Sequence, residues 1–359
     1  MEWIETRLSR VVVDEGKGIA ELRGRVEIQE AANILKRGGL VAFPTETVYG
    51  LGAIATSADA VSGIYKAKGR PSDNPLIIHL GAVEQVGDWV ESVPPIAAEL
   101  ARRFWPGPLT MVFRHRGNLA SNVTAGLPTV AVRVPDHPLA QALLLETGIP
   151  VAAPSANRSG RPSPTEALHV WDDLRGKVAL ILDGGATGYG LESTVVDVTG
   201  EVPVLLRPGG VTLEQLQAAV GTVEVDPGLV RDDESPRSPG MKYRHYAPEG
   251  DVWLVREPWA EVKEALQREI SRQQDQGYRV GLLVTEEHSD LVTADVIVRC
   301  GWRRDPLSVA RGLYHALREF DEQQVDVIFA ETFPEEGIYR SVMNRLAKAA
   351  AGKTLDLCK

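Results

Sequence analysis

The sequence predicts two α/β domains: an N-terminal domain with a twisted mixed sheet flanked by helices, and a smaller C-terminal α/β domain. The chain has 359 residues, whereas a single hydrophobic core stops growing near ~250–300 residues. Short apolar strands alternate with helical patterns on both sides of segment 221–250, which has no such periodicity. We therefore expect a first domain over 1–220, a linker over 221–250 and a second domain over 251–359.

The first domain alternates short apolar segments, bounded by Gly, Pro or Asn, with stretches of helical periodicity. The apolar segments predict strands over 40–43, 76–80, 109–113, 129–134, 151–153, 179–182, 194–198 and 202–206. The periodic stretches predict helices over 28–35, 58–67, 94–104, 137–146 and 212–220. After residue 178 several strands follow one another without a helix between them, so we expect a mixed sheet with antiparallel pairs.

The second domain shows a regular alternation of strands and helices. Its linker, 221–250, contains four prolines, four glycines and the charged run Arg231-Asp232-Asp233-Glu234. Beyond it, strands are predicted over 252–255, 278–285, 295–300 and 325–330, and helices over 257–274, 305–322 and 337–350. This order is typical of a compact α/β domain.

Charge and composition exclude several classes of protein. Lys and Arg number 39 against 49 Asp and Glu, for a net charge of −10, and no basic run exceeds a pair, so general nucleic-acid binding is disfavoured. No segment approaches the ~18 apolar residues of a membrane span. The N-terminus also lacks a signal peptide, so we expect a cytoplasmic protein without a membrane partner. Cys300 and Cys358 are the two cysteines, which predicts no disulfide framework and no zinc or other metal site.

Lys68 and Arg70 stand where a predicted helix ends at Gly69 and the chain turns through Pro71 and Pro75 into a strand. One interpretation is helix capping, because cations favour the C-terminal end of the helix dipole. The other is an anion site, because the prolines hold the turn rigid and limit the entropy lost when long side chains bind. We favour the anion site, and we expect both side chains to lie on a solvated turn.

Other strand ends also carry polar side chains. Ser155 and Asn157 follow one predicted strand, Ser193 precedes another, and Arg207 ends a third. Each alone is also compatible with a turn or a helix N-cap. Together they contain no carboxylate pair and no Ser–His–Asp or His–Cys set, so they favour recognition of a polyanion and a small polar substrate over hydrolysis by an activated nucleophile.

These motifs closely resemble those of the YrdC-like family. The resemblance rests on Phe43-Pro44-Thr45-Glu46-Thr47-Val48-Tyr49-Gly50-Leu51-Gly52, Lys68-Gly69-Arg70-Pro71, Asn74-Pro75-Leu76, Trp105-Pro106-Gly107-Pro108-Leu109-Thr110, Pro154-Ser155-Ala156-Asn157 and Leu206-Arg207-Pro208-Gly209. Pro239-Gly240-Met241-Lys242-Tyr243-Arg244-His245-Tyr246-Ala247-Pro248 and the extra C-terminal domain resemble the two-domain form of the family. The resemblance implies a YrdC-like mixed sheet followed by a Rossmann-like C-terminal domain.

The resemblance also implies an activity. The family condenses L-threonine, bicarbonate or CO2 and ATP to threonylcarbamoyl-AMP and pyrophosphate, for the N6-threonylcarbamoyl modification of adenosine 37 in tRNA. This implies a nucleotidyltransferase whose product passes to the tRNA threonylcarbamoyl transferase machinery. Mg²⁺ is expected with ATP, and no tightly bound organic cofactor is expected.

Site residues follow from the resemblance. The expected catalytic residues are Lys68 and Arg70. The expected threonine site comprises Thr47, His79, Arg133, the Ala153 backbone and Ser193. The expected ATP site comprises Lys68, Arg70, Asn74, Thr129, Ser155, Asn157, Ser163, Arg207, Tyr243 and Tyr246. From the residues alone, His79 is equally compatible with a structural histidine at a strand end.

The linker carries an aromatic cluster, Tyr243, His245 and Tyr246, in a stretch otherwise poor in aromatic residues. These rings either hold the two domains together or form a lid that excludes water from reactive intermediates. We favour the lid.

Two other functions stay open at this stage. One is an RNA-binding module of the same fold, which the charge count disfavours and which threonine-dependent ATP consumption would exclude. The other is carbamoyl transfer through carbamoyl-adenylate. Proteins with that chemistry carry zinc-finger and acylphosphatase-like modules, whose cysteine clusters this chain lacks.

Overall fold

A computed structural model describes residues 3–13, 18–229, 246–256 and 258–357 of the chain. They form two compact units. The first comprises the described residues of Met1–Ser159, Pro164–Gly188 and Glu192–Lys242. The second comprises those of Gly160–Ser163, Tyr189–Leu191 and Tyr243–Lys359. Two short stretches that interrupt the sequence of the first unit thus belong to the second unit, which the sequence pattern does not predict.

The first unit is built on one mixed sheet that has eleven strands in the described residues. In chain order the strands are β1 Arg7–Arg10, β2 Val41–Phe43, β3 Gly50–Ile54, β4 Ile77–His79, β5 Leu109–Arg114, β6 Thr129–Arg133, β7 Val151–Ala152, β8 Leu180–Asp183, β9 Thr194–Asp197, β10 Val204–Arg207 and β11 Glu224–Val225. Their order across the sheet is β1-β8-β2-β3-β7-β4-β6-β5-β9-β10-β11. The predicted antiparallel pairs are confirmed at β2–β3, β3–β7, β4–β7, β5–β6 and β9–β10.

Helices cover this sheet unequally. They are α1 Ile19–Arg23, α2 Val26–Lys36, α3 Ala58–Lys68, α4 Pro95–Phe104, α5 Ser121–Thr124, α6 Pro138–Thr147, α7 Ala167–Leu174 and α8 Leu213–Val220. Apolar residues of α3, α4, α5, α7 and α8 share one core with one face of the sheet. Residues of α1, α2 and α6 pack on the opposite face, against β2, β7 and β8. No helix among the described residues is both long enough and apolar enough to cross a membrane.

These helices therefore leave the second face of the sheet without a helical layer where β4, β6, β5, β9 and β10 lie side by side. A small separate cluster of Ile77, Val112, Ala131, Val195 and Leu206 lies on this half. Side chains of a strand alternate between the two faces, so residues two positions from this cluster face the same way. We call this half of the second face the site face.

The first unit extends beyond the predicted boundary at residue 220. Residues Glu224–Val225 form β11 and pair in parallel with β10, and a 3₁₀ turn follows over Pro227–Leu229. Residues 221–229, which the sequence assigns to the linker, thus belong to the sheet and its immediate continuation. The two-residue strand is too short to produce a recognisable alternation.

The second unit contains a parallel sheet with the order β14-β13-β15-β12-β16. Its elements are β12 Asp251–Val255, α9 Trp259–Asp275, β13 Val280–Val284, β14 Val296–Arg299, α10 Pro306–Glu322, β15 Val327–Ala330, α11 Gly337–Ala349 and β16 Thr354–Leu355. The predicted Rossmann-like α/β architecture is confirmed. The last strand, β16, is an addition to the predicted elements.

His137 caps the N-terminus of α6 with its ring, and the cap requires a neutral ring. Nδ1 accepts a hydrogen bond from the Leu139 amide at 3.2 Å, and protonation would remove this acceptor. Burial lowers the pKa of His137 from 6.5 to about 4. Between pH 6.5 and about pH 4 the unfolded chain therefore binds more protons than the folded chain. The stability that the neutral ring contributes is complete above pH 6.5 and is lost as the pH falls toward 4.

We expect His137→Asn, which keeps a capping side chain but does not titrate, to reduce the loss of stability in acid. Between about pH 7 and pH 5, the free energy of unfolding should fall by roughly 1–2 kcal/mol less than in the unsubstituted chain. Urea denaturation at the two pH values measures the difference. Equal losses in the two proteins would contradict the neutral-ring cap.

Candidate active site

The site face brings together five polar side chains from neighbouring strands. His79 of β4 lies opposite Arg133 of β6, and Arg133 lies opposite Thr110 of β5. Thr110 Oγ1 is 2.7 Å from Ser193 Oγ at the start of β9, and Arg207 of β10 donates to Ser193. All five side chains are buried. A continuous polar row therefore crosses four strand pairs.

Arg133 is the buried cation at the centre of this row. Its Nη2 lies 2.7 Å from Glu46 Oε1, and both side chains are less than a tenth exposed. The two groups are close but not aligned for a hydrogen bond. Nε donates to the Gly107 carbonyl at 3.4 Å. The pair balances charge while leaving guanidinium donors that a ligand carboxylate can engage.

His79 beside Arg133 is held in its neutral form. Burial, reinforced by the charge of Arg133, lowers the pKa of His79 to about 3. Its Nδ1 is buried and has no hydrogen-bond partner within the described residues. Buried polar atoms are nearly always paired, so an unpaired ring nitrogen beside a buried arginine favours a ligand contact over a purely structural histidine.

Ser193 and Arg207 are fixed by the backbone around them. Arg207 donates to the Ser193 carbonyl from Nε at 3.1 Å and from Nη2 at 2.8 Å. The pairing register between β9 and β10 shifts between Leu205 and Arg207, and such a bulge re-aims a side chain. Gly209 crosses the start of β9 so closely that a Cβ there would lie 2.3 Å from the Thr194 amide nitrogen. Glycine is required at this crossing.

A second polar centre forms around Lys68 at the end of α3. Its ammonium donates to the carbonyls of Ser155 at 2.5 Å and Asn157 at 2.6 Å, and lies 3.3 Å from Asn157 Oδ1. Ser155 Oγ donates to the same amide oxygen at 2.6 Å. The Lys-x-Arg and Ser-x-Asn motifs thus meet at one point in the fold.

The predicted solvated position of Lys68 is wrong. Lys68 is 2% exposed, because its side chain turns away from α3 toward the loop that follows β7. The helix ends as predicted at Gly69, in the left-handed conformation with φ 63°. Arg70 is half-buried in the following turn, where Nη2 reaches the Pro75 carbonyl at 3.4 Å.

Asn74 and Thr129 belong to the same end of the neighbouring strands as Lys68. Asn74 is buried shortly before β4 begins, and its Oδ1 has no hydrogen-bond partner in the part of the chain that the structure describes. Thr129 begins β6 and Arg133 ends it, so the two residues lie about 13 Å apart along the strand. Asn74 and Thr129 therefore lie away from the row around Arg133, whereas Arg207, also predicted to bind ATP, lies within that row beside Ser193.

Two other residues of the predicted ATP site belong to the second unit. Ser163 is buried and belongs to the second unit. Tyr246 also belongs to that unit, where its ring stacks on Tyr314 at 5.5 Å and under the Arg345 guanidinium. Tyr243 and His245 lie outside the described residues. The lid and the ATP contacts of these residues stay predictions.

One residue of the row and the counter-ion of Arg133 were not among the predicted site residues. Glu46 and Thr110 both stand within the quoted motifs, and both are buried. A glutamate between two threonines at a strand exit is a usable signal, because an uncompensated buried carboxylate is costly. It points to a cation elsewhere without saying which one. Only the three-dimensional structure identifies Arg133 as the cation that pairs with Glu46.

The arrangement suits the binding of two anions without a covalent nucleophile. The row around Arg133 offers a guanidinium, a neutral imidazole and hydroxyl groups for a small carboxylate. The centre around Lys68 offers a buried ammonium with Arg70 nearby for phosphate groups. Fixed donors in a buried setting stabilise developing charge without reorganising.

Comparison with protein families matches almost the whole chain. The Sua5/YciO/YrdC model, described as "Telomere recombination", matches residues 33–209. A second model, described as "Threonylcarbamoyl-AMP synthase, C-terminal domain", matches residues 211–351. The two matches correspond to the order of domains that the sequence predicts.

Individual relatives match over similar lengths. Threonylcarbamoyl-AMP synthase of Bacillus subtilis is 52% identical over 330 residues, which cover 92% of this chain and 94% of that protein. The Pyrococcus abyssi enzyme of the same name is 45% identical over 343 residues, covering 94% and 99%. The crystal structure of P. abyssi Sua5 complexed with L-threonine superposes with a TM-score of 0.90 at 42% identity, covering 98% of this chain and 99% of that one. The chain therefore belongs to the threonylcarbamoyl-AMP synthase family, in its two-domain form.

Proposed function

We propose that this chain synthesises threonylcarbamoyl-AMP and pyrophosphate from L-threonine, bicarbonate or CO2 and ATP. The observation that carries the proposal is the presence of two buried cationic centres in the first unit, one around Arg133 and one around Lys68. Relatives with this activity in their name cover nearly the full chain. The product would pass to the cytoplasmic machinery that modifies adenosine 37 of tRNA.

Threonine would bind along the row on the site face. Arg133 pairs with its carboxylate, as the guanidinium fork suits a carboxylate, and Glu46 then gives up part of its contact. Thr47, Ser193 and the Ala153 backbone would bind the hydroxyl and amine. The L-threonine complex of the P. abyssi relative supports this assignment of substrate.

ATP would bind across the Lys68 centre, with Arg70, Asn74, Thr129, Ser155, Asn157, Ser163 and Arg207 as its contacts. A carbamate formed on the threonine amine attacks the α-phosphate. The new P–O bond forms as the bond to the β-phosphate oxygen breaks, and pyrophosphate leaves with the electron pair. Lys68 and Arg70 stabilise the charge that moves onto pyrophosphate, which is positioning and electrostatic work.

Mg²⁺ would accompany the triphosphate. The proposed ATP contacts contain no carboxylate, and the Asn74 amide oxygen is buried with no hydrogen-bond partner within the described residues. Such a donor set does not form a protein cage for a metal. It fits Mg²⁺ held mainly by phosphate oxygens and water, as is usual for this ion.

The first test is the substrate requirement. Pyrophosphate release by the purified chain should depend on both threonine and bicarbonate, because the attacking carbamate is made from the two. With serine in place of threonine, kcat/KM should be roughly 10–200-fold lower, which is the usual discrimination that one methyl group gives in a pocket. Cleavage of ATP to ADP without an amino acid would exclude the proposed reaction.

A second test separates phosphate binding from helix capping. Arg70→Ala should reduce kcat by roughly 100-fold or more, as expected when a fixed charge contact in the transition state is lost. Lys66→Ala is the matched control, because Lys66 is an exposed cation in the last turn of the same helix. Arg70 is preferred to Lys68, whose buried ammonium also supports the fold.

If capping were the role of these cations, both substitutions would lower the melting temperature slightly and leave kcat alone. The proposal therefore fails if a folded Arg70→Ala protein turns over at the rate of the Lys66→Ala control.

A third test concerns the proposed lid. Exchanging Tyr243 and His245 for Ala in the full chain should leave threonine binding unchanged. It should lower the yield of threonylcarbamoyl-AMP per ATP consumed, because water then reaches the carbamate and the mixed anhydride. Tyr278→Ala, at an exposed tyrosine of the second unit, controls for loss of an aromatic ring. An unchanged yield in the double variant would mean that these residues only connect the two units.

A further inference from the structure

The second unit contains a polar cavity that the proposed reaction does not use. It has a volume of about 430 Å³. Its lining comes from the loops that follow four strands: Arg256 after β12, His288 after β13, Arg303 after β14 and Glu331 after β15. The cavity therefore lies at the carboxyl edge of the parallel sheet.

The sheet topology makes this edge a ligand crevice. From β13 the chain continues to β14 on one side of the sheet, whereas from β15 it continues to β16 on the other. Because β13 and β15 are neighbours, the chain segments that leave these two strands run in opposite directions and leave a gap between them. In open parallel sheets, ligands bind in such a gap outside the strand ends.

A buried carboxylate organises the polar groups of the cavity. Glu331 Oε2 accepts from the Thr285 amide and hydroxyl, both at 2.9 Å, and Oε1 accepts from His288 Nδ1 at 2.8 Å. Arg303 Nη1 donates to the same Oε1 and to the Thr332 carbonyl. Glu331 is thus fully engaged and fixes His288 and Arg303 in place.

Several donors at the cavity stay unused within the described residues. Arg303 keeps Nε and Nη2, and the exposed Arg256 side chain has no partner there. The Trp259 indole N–H is buried and also unpaired within that part of the chain. The cavity holds two arginines against one carboxylate, so its excess charge is positive. A donor-rich, positive cavity fits an anion.

We propose that this cavity binds a small phosphate monoester. The phosphate would lie between Arg256 and Arg303, which approach from two different loops, with the His288 ring held beside it by Glu331. The organic part would lie on the apolar wall that Pro258 and Pro334 help to form. The volume exceeds what a free phosphate ion fills, and pockets of this size hold small metabolites.

The test uses the full chain and hydrogen exchange read by mass spectrometry, which locates binding along the sequence. The probes are AMP, ribose 5-phosphate, inorganic phosphate and adenosine. Both esters should slow amide exchange in peptides covering 285–289, 301–304 and 331–334, and adenosine should not. If AMP alone does so, the ligand is a nucleotide; if both do, the phosphate monoester itself is recognised.

Affinity measurements on variants test the role of the cations. Arg256→Ala should weaken ester binding at these peptides about tenfold, since a hydrogen bond to a charged group is lost. Arg268→Ala on α9 is the matched control, as it removes an exposed arginine of the same unit outside the cavity. Arg303→Lys keeps a charge beside Glu331 but loses the fork, and should also weaken binding.

Three results would overturn the proposal. The first is protection confined to peptides of the first unit. The second is equal affinity in the Arg256 and Arg268 variants. The third is protection by adenosine as strong as that by AMP. None of them bears on the synthesis of threonylcarbamoyl-AMP, which depends on the first unit and has its own test.

Discussion

The burial of the Arg133 guanidinium is the constraint on which the first unit is organised. A buried cation costs several kcal/mol unless a counter-charge is brought to it, and here Glu46 supplies that charge. Glu46 lies in the connection between β2 and β3, so the pairing fixes this turn. The hydroxyl of Thr45 closes it by donating to the Val48 carbonyl at 2.6 Å.

The same turn is connected to the centre around Lys68, where the phosphates are proposed to bind. The chain leaving the turn pairs with the exit of β7: the Leu51 amide donates to the Pro154 carbonyl, and the Ala156 amide to the Tyr49 carbonyl, both at 2.8 Å. This pairing holds the carbonyls that receive the Lys68 ammonium. The two cationic centres therefore share one scaffold, which keeps the distance between two bound anions constant. Fixed spacing reduces the entropy lost when two reactants are brought together.

Much of the fold could be predicted from the sequence, because apolar periodicity reports burial directly. Two of the strands that were missed lack that signal. In β3, Gly50 and Gly52 replace the apolar side chains of a normal strand, and β1 is a mostly exposed edge strand. Strand-end polar residues indicated where the site lies. The burial of these residues could not be predicted from the sequence. Lys68, for example, is covered by a loop 87 residues away in the chain, and no local pattern encodes such a contact.

The division of the second unit into three stretches of chain affects the order in which the protein completes itself on the ribosome. Domains generally fold as they emerge, the N-terminal part first. Gly160–Ser163 and Tyr189–Leu191 emerge early, yet their partners are late. Arg161 pairs with Asp321 at 2.9 Å, and Gly190 packs so tightly on Arg311 that a Cβ would lie 2.5 Å from its Cα. These two stretches must therefore wait for translation of α10 before they reach their final contacts in the second unit.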